Sequence, residues 1–304
     1  MAEKFHFYVR VVMGIGALML AAGRAPAQNL FVSEFASNGN ITQYTPGGAQ
    51  SPFVSGLNEP AGLAFDDGGD LLVANISAGS IDEYAPGGGQ STFATGLNDP
   101  VGLAFNGTGD LFVSDLTGGN IYAFTPGGVR STFAAGLTSP AGLAFDRAGN
   151  LFVADYNSGD IFEFAPGGGQ STFAAGLNKP DGVAFDGEGD LFATDNGSGN
   201  IYEFTPGGAQ STFATGLNSP YFLAFNSAGE LFVADNGSGN IYEFTSGGIR
   251  STFASGLNSP DGLAFQGESL PVPEPAEAGL VIAGVVAMVV CRQRRGMLVA
   301  HRQV

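Results

Sequence analysis

The chain has 304 residues and a net charge of −17, and its 49 glycines and 16 prolines disfavour long helices. Residues 28–270 contain 25 acidic and four basic residues, which makes nucleic acid an unsuitable partner because its phosphates require the opposite charge. The same region has no cysteine, histidine or tryptophan, so cysteine nucleophiles, histidine-based triads and histidine-bound zinc are excluded there.

Residues 1–27 have the features of a secretory signal peptide. Lys4 and Arg10 supply positive charge, residues 11–22 form an apolar run, and residues 25–27 read Ala-Pro-Ala, small enough for cleavage. The alternative is an N-terminal membrane helix, which is less favoured because a membrane span needs about 20 apolar residues. We therefore predict an exported protein whose mature chain begins near Gln28.

A 40-residue repeat fills residues 28–268. Phenylalanine recurs at Phe65, Phe105, Phe145, Phe185, Phe225 and Phe265, and proline at Pro60, Pro100, Pro140, Pro180, Pro220 and Pro260. Each repeat has four short segments rich in Phe, Tyr, Val and Ile, bounded by Gly, Pro, Asn or Asp, which is typical of strands joined by turns. We name these strands a, b, c and d, with the consensus segments GLAFD, LFVAD, IYEFT and STFAT.

Six such repeats predict an all-β fold, a six-bladed β-propeller with four antiparallel strands per blade. The array begins at strand b, in residues 30–34, and ends after strand a, in residues 262–265. One blade is therefore expected to combine strand a from the C-terminal end with strands b, c and d from the N-terminal end. Such a closure would join the two ends of the ring without a disulfide.

The repeat also resembles a known family. The segment GNLFVADYNSGDIFEF, residues 149–164, resembles the NHL repeat, and the whole array is similar to NHL and gluconolactonase-like propellers. The resemblance implies the fold more than the activity, because propellers carry many unrelated functions.

The C-terminal end contains a second targeting pattern. Residues 269–277 form a proline-rich linker that includes Pro-Glu-Pro at 273–275, and residues 278–304 contain an apolar segment followed by the basic run CRQRR. This order resembles the PEP-CTERM sorting signal of exported bacterial proteins, although nine residues follow the arginines. The resemblance implies recognition by an exosortase, at least transient membrane insertion, and delivery to the cell envelope or its surface. The alternative is a plain inner-membrane anchor with its basic end in the cytoplasm.

Acidic residues recur at two places in the repeat. The turn between strands a and b alternates acids at Asp186, Glu188 and Asp190, as a calcium loop does, but the hairpin turn itself explains the Asp and Gly that all repeats share. The end of strand b carries Glu34, Asn75, Asp115, Asp155, Asp195 and Asp235. We expect these side chains to accept hydrogen bonds from the following b–c loop, with a cation near the axis as the alternative.

One position breaks the symmetry of the repeat, the residue between Pro and Gly at the start of strand a. Around the ring it reads Ala61, Val101, Ala141, Asp181, Tyr221 and Asp261. The position after this residue is glycine in the other five repeats and is Phe222 in the repeat of Tyr221. Lys179 is the one basic candidate nearby. We predict that these side chains meet at the mouth of the central channel, where Tyr221, Phe222 and Lys179 would bind a ligand.

The gluconolactonase-like resemblance adds a metal hypothesis. In that family, metal ligands lie at the start of strand a, often in a Pro-Asp-Gly pattern, which Asp181 and Asp261 match. The resemblance implies that these two residues hold Ca²⁺ or another divalent cation, with Asp195 or Glu34 as a catalytic base. The alternative is that each aspartate only caps a turn that begins at proline.

Two functions of different class follow. The first is an exported, envelope-associated propeller, expected to be monomeric, that binds a polysaccharide, a protein or a small ligand through its channel face without catalysis. The second is a divalent-metal-dependent lactonase or related hydrolase that uses the sector around Asp181, Tyr221 and Asp261. A third possibility is a stable spacer in the extracellular matrix.

Overall fold

The computed structural model describes residues 28–267, and these form a closed six-bladed β-propeller. The predicted signal peptide, linker and C-terminal tail lie outside the described residues. Within residues 28–267 there is no helix of the length and apolarity that a membrane crossing requires.

Each blade is an antiparallel sheet of four strands. The chain first forms β1 (Leu30–Glu34), β2 (Gly39–Tyr44) and β3 (Gln50–Leu57). Blade 2 contains β4 (Pro60–Phe65), β5 (Leu71–Asn75), β6 (Ser80–Tyr84) and β7 (Gln90–Thr95). Blade 3 contains β8 (Pro100–Phe105), β9 (Leu111–Asp115), β10 (Asn120–Phe124) and β11 (Arg130–Ala135). Blade 4 contains β12 (Pro140–Phe145), β13 (Leu151–Asp155), β14 (Asp160–Phe164) and β15 (Gln170–Ala174).

The remaining strands complete the ring. Blade 5 contains β16 (Pro180–Phe185), β17 (Leu191–Asp195), β18 (Asn200–Phe204) and β19 (Gln210–Ala214). Blade 6 contains β20 (Pro220–Phe225), β21 (Leu231–Asp235), β22 (Asn240–Phe244) and β23 (Arg250–Ser255), and a 3-10 turn at Asn236–Ser238 follows β21. The last strand, β24 (Pro260–Phe265), pairs with β1 and completes blade 1 with strands from both ends of the array. The predicted fold and its closure are confirmed.

The core consists of layers between neighbouring blades. Strand b of blades 2 to 6 is buried along its whole length because both faces of each sheet pack against other blades. Phe152 of blade 4 makes T-shaped contacts with Phe173 of its own blade and with Phe185 of blade 5, at centroid distances of 4.9 and 5.0 Å. Such edge-to-face pairs add to the free energy of burial. The repeated phenylalanines therefore join each blade to the next.

The backbones of strands a from neighbouring blades touch at the axis. A Cβ on Gly182 would lie 2.7 Å from the carbonyl oxygen of Tyr221 in the next blade, which is closer than atoms of this kind approach. A Cβ on Gly262 would overlap the carbonyl oxygen of Ala61. Glycine is thus required here for close approach, and the ring of a strands is packed tightly around the axis.

A β-bulge opens strand a in every blade. In blade 5, Pro180 pairs with Asp195 and Val183 pairs with Ala193, so Asp181 and Gly182 together lie opposite Thr194. The same shift of register occurs in the other blades. Because bulges redirect side chains locally, the fold places the variable residue of the Pro-x-Gly segment at a point where it can serve a site.

Candidate functional site

The channel mouth is built from two sets of loops, those between strands d and a and those between strands b and c. The two sets are joined in every blade by a backbone hydrogen bond, such as the one from the N–H of Asn196 to the carbonyl of Lys179, at 3.0 Å. Lys179 has a left-handed backbone with φ of 63°, and four other residues at the equivalent position share this conformation. The mouth therefore has a fixed backbone on which side chains differ from blade to blade.

The bulged position gives the mouth two unlike halves. Ala61, Val101 and Ala141 are buried and apolar, whereas Asp181 and Asp261 are buried carboxylates with 4% and 6% of their surface exposed. In blade 6, between these two aspartates, Tyr221 and Phe222 are only half-buried. The polar half is thus also the half that opens to solvent.

The two carboxylates lack hydrogen bonds at their buried oxygens. Oδ1 of Asp181 and Oδ1 of Asp261 are both fully buried and have no hydrogen-bond partner among the described residues. Buried polar atoms are nearly always paired, so two orphaned oxygens at one mouth require an explanation. A ligand that donates hydrogen bonds would supply one.

Burial shifts the pKa values of this group strongly upward. Burial raises the pKa of Asp261 to about 7. Burial, followed by the charge of Asp261, raises the pKa of Asp181 well above its ordinary value. The pKa of Tyr221 rises to about 12 through burial and then through the charges of Asp181, Asp261 and Tyr156. The three side chains therefore form one electrostatic unit.

Tyr156 and Asn196, which were not among the predicted site residues, extend this unit. The hydroxyl of Tyr156 donates a 3.4 Å hydrogen bond to Oδ1 of Asn196, and the ammonium of Lys179 lies 5.5 Å from the centre of the Tyr156 ring. Burial and then the charge of Asp181 raise the pKa of Tyr156. Nδ2 of Asn196 is buried without a partner in the described part of the chain.

A signal for these two residues is present in the sequence. The position directly after strand b reads Phe35, Ile76, Leu116, Tyr156, Asn196 and Asn236 around the ring. The polar residues at this position are Tyr156, Asn196 and Asn236, so they begin one blade before Asp181 and continue through blades 5 and 6. Comparing this second variable position with the first would have found them.

Thr194 is a further residue of this sector that was not predicted from the sequence. Its hydroxyl accepts the N–H of Gly182 at 2.8 Å and donates to the carbonyl of Tyr221 at 2.5 Å, so it links the bulge of blade 5 to that of blade 6. Ser33 and Ser114 make the equivalent links in blades 1 and 3. The other three blades have alanine at this position, so the hydroxyl alternates around the ring.

The acids at the end of strand b hold loops together. Asp195, one of the two candidates for a catalytic base, accepts the N–H of Asn178 at 2.8 Å and that of Ser198 at 3.3 Å. Glu34, the other candidate, accepts the N–H of Asn258 at 2.9 Å. The shorter bonds come from the d–a loop, whereas the sequence led us to expect donors in the b–c loop. These contacts give both residues a structural role, and their role as a base stays a prediction.

The acidic turns lie at the opposite face and behave as turns. Oδ1 of Asp186 accepts the N–H groups of Glu188, Gly189 and Asp190 at 2.8–2.9 Å. In blade 2, carboxylate oxygens of Asp66, Asp70 and Glu83 lie within 4.8 Å of one another, and no other set of three such acids, within residues 28–267, is as close. The pKa of Asp70 is raised by burial and then by the charges of Asp66 and Glu83.

A shallow groove also lies on the outer rim, between blades 2 and 3. Thr92, Phe93 and Thr95 of strand d line it together with Phe124 and Arg130 of the next blade. It is far from the channel axis, because strand d is the outermost strand of a blade. Within residues 28–267, the unpaired buried carboxylates lie at the mouth and not in this groove.

Comparison with known proteins identifies the fold. The chain matches no protein-family model and no curated protein. A chain of a solved nidogen/laminin complex aligns with a TM-score of 0.73 and 21% identity, covering 80% of this chain and all of that one. A virginiamycin B lyase from Staphylococcus aureus aligns with a TM-score of 0.62 and 16% identity, covering 78% of this chain and 87% of that one. A streptogramin B lyase gives a TM-score of 0.60 and 16% identity, covering 78% and 95%. At these identities the likeness extends to the propeller fold alone.

Proposed function

We propose that this protein is an exported propeller that binds a ligand at its channel mouth, through the sector formed by Asp181, Tyr221, Phe222 and Asp261. The observation that carries the proposal is the set of orphaned buried atoms in this sector, Oδ1 of both aspartates and Nδ2 of Asn196. Leaving such atoms unpaired costs about 1–3 kcal/mol each, more for a charge, and a bound ligand would recover part of that energy. Among the described residues, the apolar half of the mouth has one such atom at the end of a strand b, the amide Oδ1 of Asn75, and no unpaired carboxylate.

The type of ligand follows from the side chains present. Half-buried tyrosine and phenylalanine rings offer flat apolar surfaces, and the carboxylates and the amide offer directed hydrogen bonds. This combination suits a saccharide or a small polar molecule, whose rings stack and whose hydroxyls hydrogen-bond. We therefore place the end of a polysaccharide chain or a small polar ligand, rather than a flat protein surface, at this mouth.

A metal-dependent lactonase is less well supported. A calcium ion takes six to eight oxygen ligands, and the two aspartates that the family resemblance selects supply few of them. Asp195 and Glu34, the candidate bases, already accept backbone N–H groups. Binding without catalysis requires none of these groups to change partners.

Localisation is part of the proposal and rests on the sequence. We place the mature protein in the cell envelope or at the cell surface, delivered by the N-terminal signal and retained by the C-terminal segment that an exosortase would recognise. The excess of acidic residues in the propeller keeps nucleic acid an unsuitable partner, and we expect a monomer. Cell fractionation with and without residues 271–304 tests the placement, since release of the shortened protein into the medium is the expected result.

The ligand site is tested by screening the full protein against a panel of neutral, acidic and basic monosaccharides and oligosaccharides by saturation-transfer NMR. Signals that disappear in Tyr221→Ala and in Phe222→Gly, and persist in Tyr202→Ala, would support the mouth as the site. Tyr202 is a suitable control because it lies on strand c of blade 5, away from the axis. Binding that survives both mouth substitutions would contradict the proposal.

A further inference from the structure

We infer that the ligand of the channel mouth carries a primary ammonium group beside a hydroxyl, as an amino sugar does. This inference rests on the proposed function and specifies its ligand. It follows from three features of the mouth, namely its unpaired carboxylates, its aromatic rings and its orphaned amide.

The first feature is a charge imbalance that the described residues do not correct. The three arginines of the propeller lie away from the mouth, and Lys179, which lies at the mouth, contacts an aromatic ring and not these carboxylates. Arg130 and Arg250 lie over tyrosine rings and donate to carbonyls of neighbouring blades, Arg147 donates to the carbonyl of Gly187, and Lys179 lies over Tyr156. None of them donates a hydrogen bond to Asp181 or Asp261. A ligand must therefore supply the positive charge that these two carboxylates lack when ionised.

The second feature distinguishes an ammonium group from a metal ion. An ammonium needs only about three acceptors and is attracted to aromatic faces, whereas calcium needs six or more oxygens. Tyr221 lies between the two aspartates along the ring of blades, and the ammonium of Lys179 already rests over the neighbouring ring of Tyr156 at 5.5 Å. The mouth thus combines rings with a small number of carboxylate oxygens, which fits an ammonium better than a hard cation.

The third feature calls for an acceptor on the same ligand. Nδ2 of Asn196 is a buried donor without a partner in the described structure, and Asn196 is linked to this sector through Tyr156 and through the backbone of Lys179. A hydroxyl oxygen beside the ammonium would accept this hydrogen bond. An amino sugar presents both groups on one rigid ring, and that ring can also stack on Tyr221 or Phe222.

The experiment is a calorimetric titration of the full protein at pH 7, where most of the glucosamine carries its proton, with glucosamine, N-acetylglucosamine, glucose, ethanolamine and calcium chloride as separate probes. N-acetylglucosamine keeps the ring and loses the charge, so we expect it and glucose to bind at least tenfold more weakly than glucosamine. We expect Asp181→Asn and Asp261→Asn each to weaken glucosamine binding roughly tenfold or more, because a charge-assisted hydrogen bond is lost. Asp190→Asn, the same change at the opposite face of blade 5, should bind as the wild type does.

The outcomes separate this inference from the proposed function. Ethanolamine binding as strongly as glucosamine would support the ammonium and show that the sugar ring adds little. Glucose or N-acetylglucosamine binding as strongly as glucosamine, with loss in Tyr221→Ala, would overturn the inference and leave the mouth as the ligand site. Calcium binding that is lost in Asp181→Asn, without binding of any amine, would also overturn it. Thermal melts of each variant show whether a loss of binding reflects a loss of folding.

Discussion

The hydroxyl of Thr194 donates a 2.5 Å hydrogen bond to the backbone carbonyl of Tyr221 in the next blade. The same hydroxyl accepts the N–H of Gly182, which follows Asp181 in the bulge. One buried side chain therefore fixes the backbone beside two residues of the candidate site. In the proposed site it would act on a ligand only through them, as a positioning residue.

Replacement of Thr194 by alanine should lower both stability and ligand affinity. The change leaves the N–H of Gly182 and the carbonyl of Tyr221 without this partner, at a cost of about 1–3 kcal/mol. The lower end is expected, because three blades tolerate alanine at this position. Urea unfolding followed by circular dichroism measures the loss, and Thr194→Ser, which keeps the hydroxyl, should restore both properties. An alanine variant with unchanged ligand affinity would remove the positioning role.

Gly262→Ala should destabilise the propeller at its point of closure. The added Cβ would overlap the carbonyl oxygen of Ala61, and backbone atoms cannot move aside as a flexible side chain can. We expect a loss of about 1–3 kcal/mol or more in the free energy of unfolding. Gly47→Ala is the matched control in the same blade, since nothing lies within 4 Å of its Cβ. Equal melting temperatures for the two variants would show that the a strands are less tightly packed than described.

The repeat made the architecture predictable from the sequence, whereas the candidate site consists of residues that differ from the repeat consensus. The strand at residues 30–34 and the closing strand at Pro260–Phe265 follow directly from the 40-residue spacing, because each blade must bury the same faces. Asp181, Tyr221 and Asp261 were identified because they differ from the consensus. Thr194 was not, because its significance depends on a bulge and a contact between blades that no single repeat contains. Asn196 was missed for a different reason, because the position directly after strand b was not compared around the ring; its partner Tyr156 belongs to the preceding blade.

Phe192→Ala should strongly destabilise the core between blades 5 and 6. The Phe192 ring is 5% exposed and makes T-shaped contacts with Phe213 and Phe225, each at 5.0 Å. Removing it creates a cavity and should cost about 3–5 kcal/mol. Blade 2 has Leu72 at the equivalent position, so Phe192→Leu should cost less than about 1.5 kcal/mol. Chemical denaturation of both variants checks the difference, and similar losses would mean that the aromatic contacts, rather than the filled volume, dominate.

Asp261→Asn should change how stability depends on pH. Burial raises the pKa of Asp261 to about 7 from its ordinary value of 3.8, so between these values the folded state holds a proton that the unfolded state has released. The contribution of this group to stability is therefore fully present below pH 4 and is lost as the pH rises towards 7. The full shift corresponds to roughly 4 kcal/mol, at about 1.4 kcal/mol for each pKa unit.

Asparagine has the same shape as aspartate and does not titrate. The quantity to measure is the free energy of unfolding of the wild type minus that of Asp261→Asn. This difference reports the titration of Asp261 and its coupling to Asp181 and Tyr221. The difference should fall from pH 4 to pH 7 and level off towards pH 8, where the variant should be the more stable protein in the absence of ligand. Urea unfolding of both proteins at half-unit steps of pH measures it. A difference that rises with pH would mean that a cationic partner, rather than burial, controls the Asp261 carboxyl. A ligand that supplies such a cation should therefore reverse the slope when it is present at saturation, because it binds the ionised carboxylate of the folded state.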